Sequence, residues 1–371
     1  MSNSLSDSII DMDTTQSLRT CRLSDFKTTL ADRIIVVDGA GGTVFQNHSL
    51  VEDNFRGERF SNTAIDLRGN YDILNLTQPS LVSSVHESYI EAGADIITTN
   101  TFSSNQIAQS EYQMGEHVQE MNYVGASLAY EVVRQAEDRD GRTRWVAGSL
   151  GPTNKTASMS ADVNNPGQRD VSFNELKSAY EIAALGLLEG GVDILLLETI
   201  TDTLNAKAAI VGIENAKNKI GLAAEIAPLI ISGTVIDQSG RTLSGQTLQA
   251  FWISLRHANA VAFGLNCSLG HSGMKRHIAE LSRLIPLPVI AYPNAGLPNE
   301  FGEYDESPEE MSDALKEWSE ESLVNIVGSC CGSNPEHTKA IVDAVKGLKP
   351  RPLVAESLSS LALAGLEALH I

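Results

Sequence analysis

Eight strand-length apolar runs recur along this chain, with helix-like segments between them. The runs fall at 33–40, 94–102, 144–151, 192–200, 228–235, 260–267, 287–293 and 324–330. Leu176, Tyr180, Ala183, Ala184 and Leu187 repeat at helical spacing over 173–189, and Ser172 with Glu175 forms a capping box before them. Ser307-Pro308-Glu309-Glu310 opens another helix, Asn334-Pro335 opens one after the last run, and 80–91 forms a fourth, closed by Gly93. Eight strands alternating with helices predict an α/β fold, a (β/α)8 TIM barrel. A doubly wound open sheet is the competing arrangement. Its dinucleotide fingerprint is absent, because Gly39-Ala40-Gly41-Gly42-Thr43-Val44 ends in valine.

The composition fits strands covered on both faces: 42% of residues are hydrophobic but only 5% aromatic, so aliphatic side chains must build the core. A net charge of −20 argues against a nucleic-acid partner. The acidic residues are scattered, which suits solubility, and a salt-rich habitat would produce the same excess. Four cysteines are too few for a disulfide framework, and adjacent Cys330 and Cys331 could form only a strained bridge. The start of the chain is polar, without the basic and apolar regions of a signal peptide. No apolar run approaches the ~20 residues needed to cross a bilayer. These features predict a cytoplasmic protein.

The polar residues fall at the carboxyl ends of the runs. Asp38 ends the first, Thr98-Thr99-Asn100 the second and Glu198-Thr199 the fourth. Asn266-Cys267 ends the sixth, Asn294 follows Pro293 at the seventh, and Cys330-Cys331 ends the eighth. In a barrel these ends share one rim, where catalytic groups gather. Three thiolates on one rim would bind zinc and leave a fourth tetrahedral position open, the arrangement of a catalytic site. The competing reading is three unrelated buried cysteines, since free cysteine is commonly buried.

With those residues placed, the chain resembles the homocysteine-binding domain of cobalamin-dependent methionine synthase. The likeness runs over 33–351 and is carried by Asn75-Leu-Thr-Gln-Pro79, Thr98-Thr-Asn-Thr-Phe102, Leu150-Gly-Pro-Thr-Asn-Lys-Thr-Ala157, Gly264-Leu-Asn-Cys267, Pro293-Asn-Ala-Gly-Leu-Pro298 and Gly328-Ser-Cys-Cys-Gly332. The resemblance implies a polar N-terminal segment over 1–32, the barrel over 33–351 and a tail over 352–371 similar to an interdomain linker. It implies Zn(2+) on Cys267, Cys330 and Cys331, with Asn294 filling the fourth position when substrate is absent. Asp38 and Glu198 would hold the substrate ammonium. Competing roles are a structural carboxylate paired with a cation for Glu198, a cap on the loop 39–42 for Asp38, and a turn former for Asn294. Asn100 and Asn266 read as loop-ordering residues.

The implied reaction is methylation of homocysteine to methionine, with methylcobalamin as donor. Two departures stand out: Gly41 replaces the family's usual methionine, and none of the eight histidines has Asp two residues before it, so the cobalamin signature is missing. The expectation is therefore a subunit working with separate cobalamin-binding and methyltetrahydrofolate-binding modules. Alternatives are a homocysteine methyltransferase using betaine or S-methylmethionine, and a non-catalytic zinc-binding scaffold subunit.

Overall fold

The structure, a computed structural model, describes residues 12–354 and 361–371. Eight parallel strands follow one another: β1 (Ile35–Val36), β2 (Ile96–Thr98), β3 (Trp145–Leu150), β4 (Ile194–Ile200), β5 (Leu229–Gly233), β6 (Ala262–Gly270), β7 (Val289–Asn294) and β8 (Ile326–Val327). Each lies on one of the eight apolar runs, although β6 continues past its run to Gly270 and β7 one residue past its run to Asn294. Neighbours pair in chain order, and β1 pairs with β8. A parallel bridge between Val37 and Ile96 joins β1 to β2 and completes the ring. The result is a (β/α)8 barrel.

The alternation of strand side chains divides the core in two. Ile35, Ile96, Trp145, Ile194, Leu196, Ile230, Ala262, Ile290 and Ile326 cluster together. Their neighbours Val36, Ile97, Val146, Leu195, Leu197, Ile231, Phe263, Val289 and Val327 belong to a larger cluster shared with the helices. Close approach between strands demands glycine at one point: a Cβ on Gly264 of β6 would lie 1.7 Å from the Ile290 carbonyl oxygen. The expected caps are present. Ser172 and Glu175 box the helix Phe173–Glu189, Ser307 and Glu310 box Pro308–Glu320, and Asn334 caps Pro335–Val345.

Both ends of the chain hold more structure than their composition suggests. The helix Met12–Asp32 places Phe26 and Leu30 in the inner cluster, so it closes the barrel end opposite the strands' carboxyl termini. Phe26 meets Trp145 edge-on at 5.3 Å, and the Trp145 indole donates to the Arg22 carbonyl at 3.1 Å. The Arg22 guanidinium forks onto Asp193 at 2.9 Å and Glu137 at 3.1 Å. At the other end, β9 (Ala362–Ala364) and β10 (Ala368–His370) form an antiparallel hairpin. Thr247 N–H donates to the Leu366 carbonyl at 2.9 Å, tying the hairpin to the barrel beside the helix Leu248–Leu255. No helix among the described residues is long and apolar enough to cross a membrane.

Candidate metal centre

β6 and β8 bring the three cysteines together. Their sulfur atoms all lie within 4.8 Å of one another, with Cys267 Sγ 3.8 Å from Cys331 Sγ. β6 reaches this position through a register shift against β7 between Asn266 and Gly270. Within it, Cys267 and Ser268 take φ of +61° and +65°. Left-handed backbone costs roughly 1–3 kcal/mol at each such non-glycine residue and persists where surrounding structure enforces it. The Cys330-Cys331 turn is fastened to the end of β7: Cys330 N–H donates to the Pro293 carbonyl at 2.8 Å, and Ala295 N–H to the Cys331 carbonyl at 2.9 Å. Gly332, at φ +81°, lies so close to the Tyr304 ring that a Cβ there would clash at 2.2 Å. Cys21, on the N-terminal helix, is exposed and apart from the cluster.

The donor set fits a zinc ion. Three thiols this close share one proton balance in the absence of a cation: hydrogen bonds from Cys267 and then Cys330 pull the Cys331 thiol down to about 3. The same contacts with Cys267 and Cys331, together with burial, push Cys330 well above its ordinary value. Only a cation would favour three thiolates at once. Asn294, at the end of β7, is buried, and its Oδ1 has no hydrogen-bond partner among the described residues. The residues able to hold the ion are thus Cys267, Cys330 and Cys331.

Asp38 and Glu198 line the same cavity of about 820 Å³ as the three cysteines. Glu198 is buried at the end of β4, accepting from Ser149 Oγ at 2.5 Å and from the Tyr292 hydroxyl at 3.0 Å. Burial raises its carboxyl above the ordinary value, and the charge of Cys331 adds to the effect, against the lowering from Ser149 and Tyr292. Asp38 accepts from Thr98 N–H at 2.8 Å and Thr98 Oγ1 at 2.9 Å rather than capping 39–42. Burial pushes it well above the ordinary range, and Glu198 raises it further. Neither carboxylate forms an ion pair among the described residues. Two buried acids without a cation therefore face one cavity, an arrangement that favours a cationic ligand.

The two asparagines read as loop-ordering residues differ. Asn100 donates to the Tyr71 carbonyl at 2.8 Å and to Asn75 Oδ1 at 3.3 Å, both in the short helical turns over 71–77. Asn266 instead joins three strands. Its Oδ1 accepts from Thr199 N–H at 3.0 Å and Ser232 Oγ at 2.6 Å, while its Nδ2 donates to Thr199 Oγ1 at 2.7 Å. Sequence reasoning also missed Tyr292 and Ser149, the partners of Glu198. Tyr292 carried a usable signal: it stands two residues after Ile290 on β7 and so points the same way, into the inner cluster.

A family model described as homocysteine S-methyltransferase matches residues 35–345. Among solved structures, the metallated form of the homocysteine methyltransferase MmuM from Escherichia coli is similar at 20% identity, covering 86% of this chain and 98% of that one, with a TM-score of 0.66. Its oxidised form matches at 19% identity over 84% and 95% of the two chains, with a TM-score of 0.65. At such identities the structural likeness is one of fold.

Proposed function

Because the chain belongs to the homocysteine S-methyltransferase family, we propose that it binds homocysteine at this rim and methylates its thiol in the manner of cobalamin-dependent methionine synthase. The observation that carries the reading is the three-thiol cluster sharing one cavity with two buried, uncompensated carboxylates. A free thiol has a pKa near ~8.5, and the thiolate is the nucleophile, so homocysteine needs activation at neutral pH. Zinc, when bound, would supply the charge that keeps the substrate sulfur deprotonated while three cysteine thiolates leave it electron-rich.

The chain's own residues do the positioning. Asp38 and Glu198 receive the substrate ammonium, which restores their ionised forms. Ser149 and Tyr292 fix the Glu198 carboxylate from two sides and Thr98 fixes Asp38, so the amino-acid end is held by groups that cannot swing. Anchoring that end limits where the sulfur can lie and removes part of the entropic barrier to methyl transfer. Methylcobalamin, carried on another module or protein that also works with a methyltetrahydrofolate-binding module, would supply the methyl group. The four free cysteines suit a reducing cytoplasm.

One observation favours a second reading. Beyond the space near the thiols, the cavity reaches Phe45, Asp72, Phe102 and Tyr112, and aromatic faces with a carboxylate would suit a small cationic donor such as betaine or S-methylmethionine. The discriminating experiment supplies zinc-loaded protein and homocysteine with each donor in turn and measures methionine. Formation from methylcobalamin and not from the small cations is expected. The reverse pattern would transfer the protein to the second reading.

A further inference from the structure

Asn266, on β6, bonds to β4 and β5 and immediately precedes Cys267. It is fully buried, and its orientation is dictated by its neighbours. The backbone N–H of Thr199 can only donate, so the oxygen of the Asn266 amide must face it, at 3.0 Å. Ser232 Oγ, on β5, supplies a second donor to the same oxygen at 2.6 Å. The NH2 group is thereby turned away, toward Thr199 Oγ1 at 2.7 Å and toward Cys330 Sγ at 4.0 Å. Thr199 itself has φ of +54° inside a β4 irregularity, one residue beyond Glu198. A single amide thus touches the strained end of β4, the core of β5 and a thiol on the β8 turn.

We propose that Asn266 is a positioning residue for the metal centre: its Nδ2–H donates to the Cys330 thiolate, and its Oδ1 holds Thr199 so that Glu198 keeps a fixed place relative to the sulfurs. The inference rests on the three-thiolate reading of the site. A cluster of three thiolates around one divalent ion carries a net negative charge, and an N–H donor withdraws density from one sulfur and orients its lone pairs. The donor here is neutral, so it stabilises the thiolate without competing for the metal. Tying the same amide to Thr199 links the substrate's two recognition points through one side chain.

The test uses cobalt(II) as a visible substitute for zinc in the full chain. Wild-type protein titrated with cobalt(II) should develop a thiolate-to-cobalt charge-transfer band, and zinc affinity is measured by competition with a chromophoric chelator. Asn266→Ala should shift that band to lower energy, because one sulfur becomes more electron-rich, and should weaken zinc about 10- to 100-fold. Homocysteine binding should weaken as well. Ser232→Ala removes only one tie on the amide oxygen, and it should move the band in the same direction by a smaller amount. It carries the test if Asn266→Ala does not fold. A wild-type band that neither variant moves would overturn the role of Asn266 alone. No band in the wild type would sink the three-thiolate reading, and this inference with it.

Discussion

At the scale of single residues, the proposed function divides the site into groups for the ion and groups for the amino acid. Cys267→Ser, Cys330→Ser and Cys331→Ser each remove one of three soft ligands, and each should reduce bound zinc from one equivalent toward none after dialysis against a chelator. Cys21→Ser, altering an exposed thiol on another element, should retain the full equivalent. Loss of zinc from the Cys21 variant, with retention in the Cys267 variant, would break the assignment. Glu198→Gln preserves shape and the contact with Tyr292 while removing charge. A hydrogen bond to a charged group is worth about 1.5–3 kcal/mol, so homocysteine affinity should fall roughly 10- to 100-fold with zinc retained. Titration calorimetry on the zinc-loaded variant reads this directly. The cysteines were legible in the sequence because thiols are rare here and all three end strand-like runs. Asn266 was not, because its partners are side chains 34, 64 and 67 residues away, and no local pattern announces them.

Elements were legible where side-chain periodicity is strong and obscure where a few residues carry the packing. All eight strands lie on aliphatic runs that could be read directly, and the capping boxes at Ser172 and Ser307 start their helices where expected. The helix Met12–Asp32 escaped notice because its sequence is largely polar and, over the described residues 16–32, a thin face of Arg22, Phe26 and Leu30 is buried. Those three residues recur at four-residue spacing, which is the helical signal that the surrounding polarity hid. Their burial makes this helix the plug of the barrel's lower end. Phe26→Ala should therefore destabilise the protein by roughly 3–5 kcal/mol, the usual cost of emptying an aromatic site in a packed core. Urea unfolding followed by circular dichroism measures the change. Because the plug lies opposite the thiol rim, the folded fraction should still bind one zinc. A variant with wild-type stability would mean that the helix leaves the barrel interior closed without it.

Taken as a whole molecule, the barrel carries its chemistry on one rim, and the family could be read because motif and rim coincide. What could not be read is the size of the cavity above the thiols, since its walls come from loops after several strands. That cavity governs how a methyl donor reaches the sulfur. If the donor is methylcobalamin held on another module, the barrel has no need to bind free cobalamin tightly. Methionine formation from the free compound should then rise linearly with its concentration through the millimolar range, without saturating. Joining donor and barrel in one assembly replaces that bimolecular encounter by an effective concentration of millimolar order for a short flexible linkage. Adding a protein that carries the cobalamin- and methyltetrahydrofolate-binding modules should accordingly restore fast turnover at micromolar protein, far above the rate with equimolar free methylcobalamin. The measurement is initial rate against donor concentration, with zinc-loaded chain and saturating homocysteine. A hyperbolic curve with betaine or S-methylmethionine, half-saturated below a millimolar, would show that the Phe45, Asp72, Phe102 and Tyr112 side of the cavity binds the donor itself. The barrel would then be a complete enzyme for a small cationic donor.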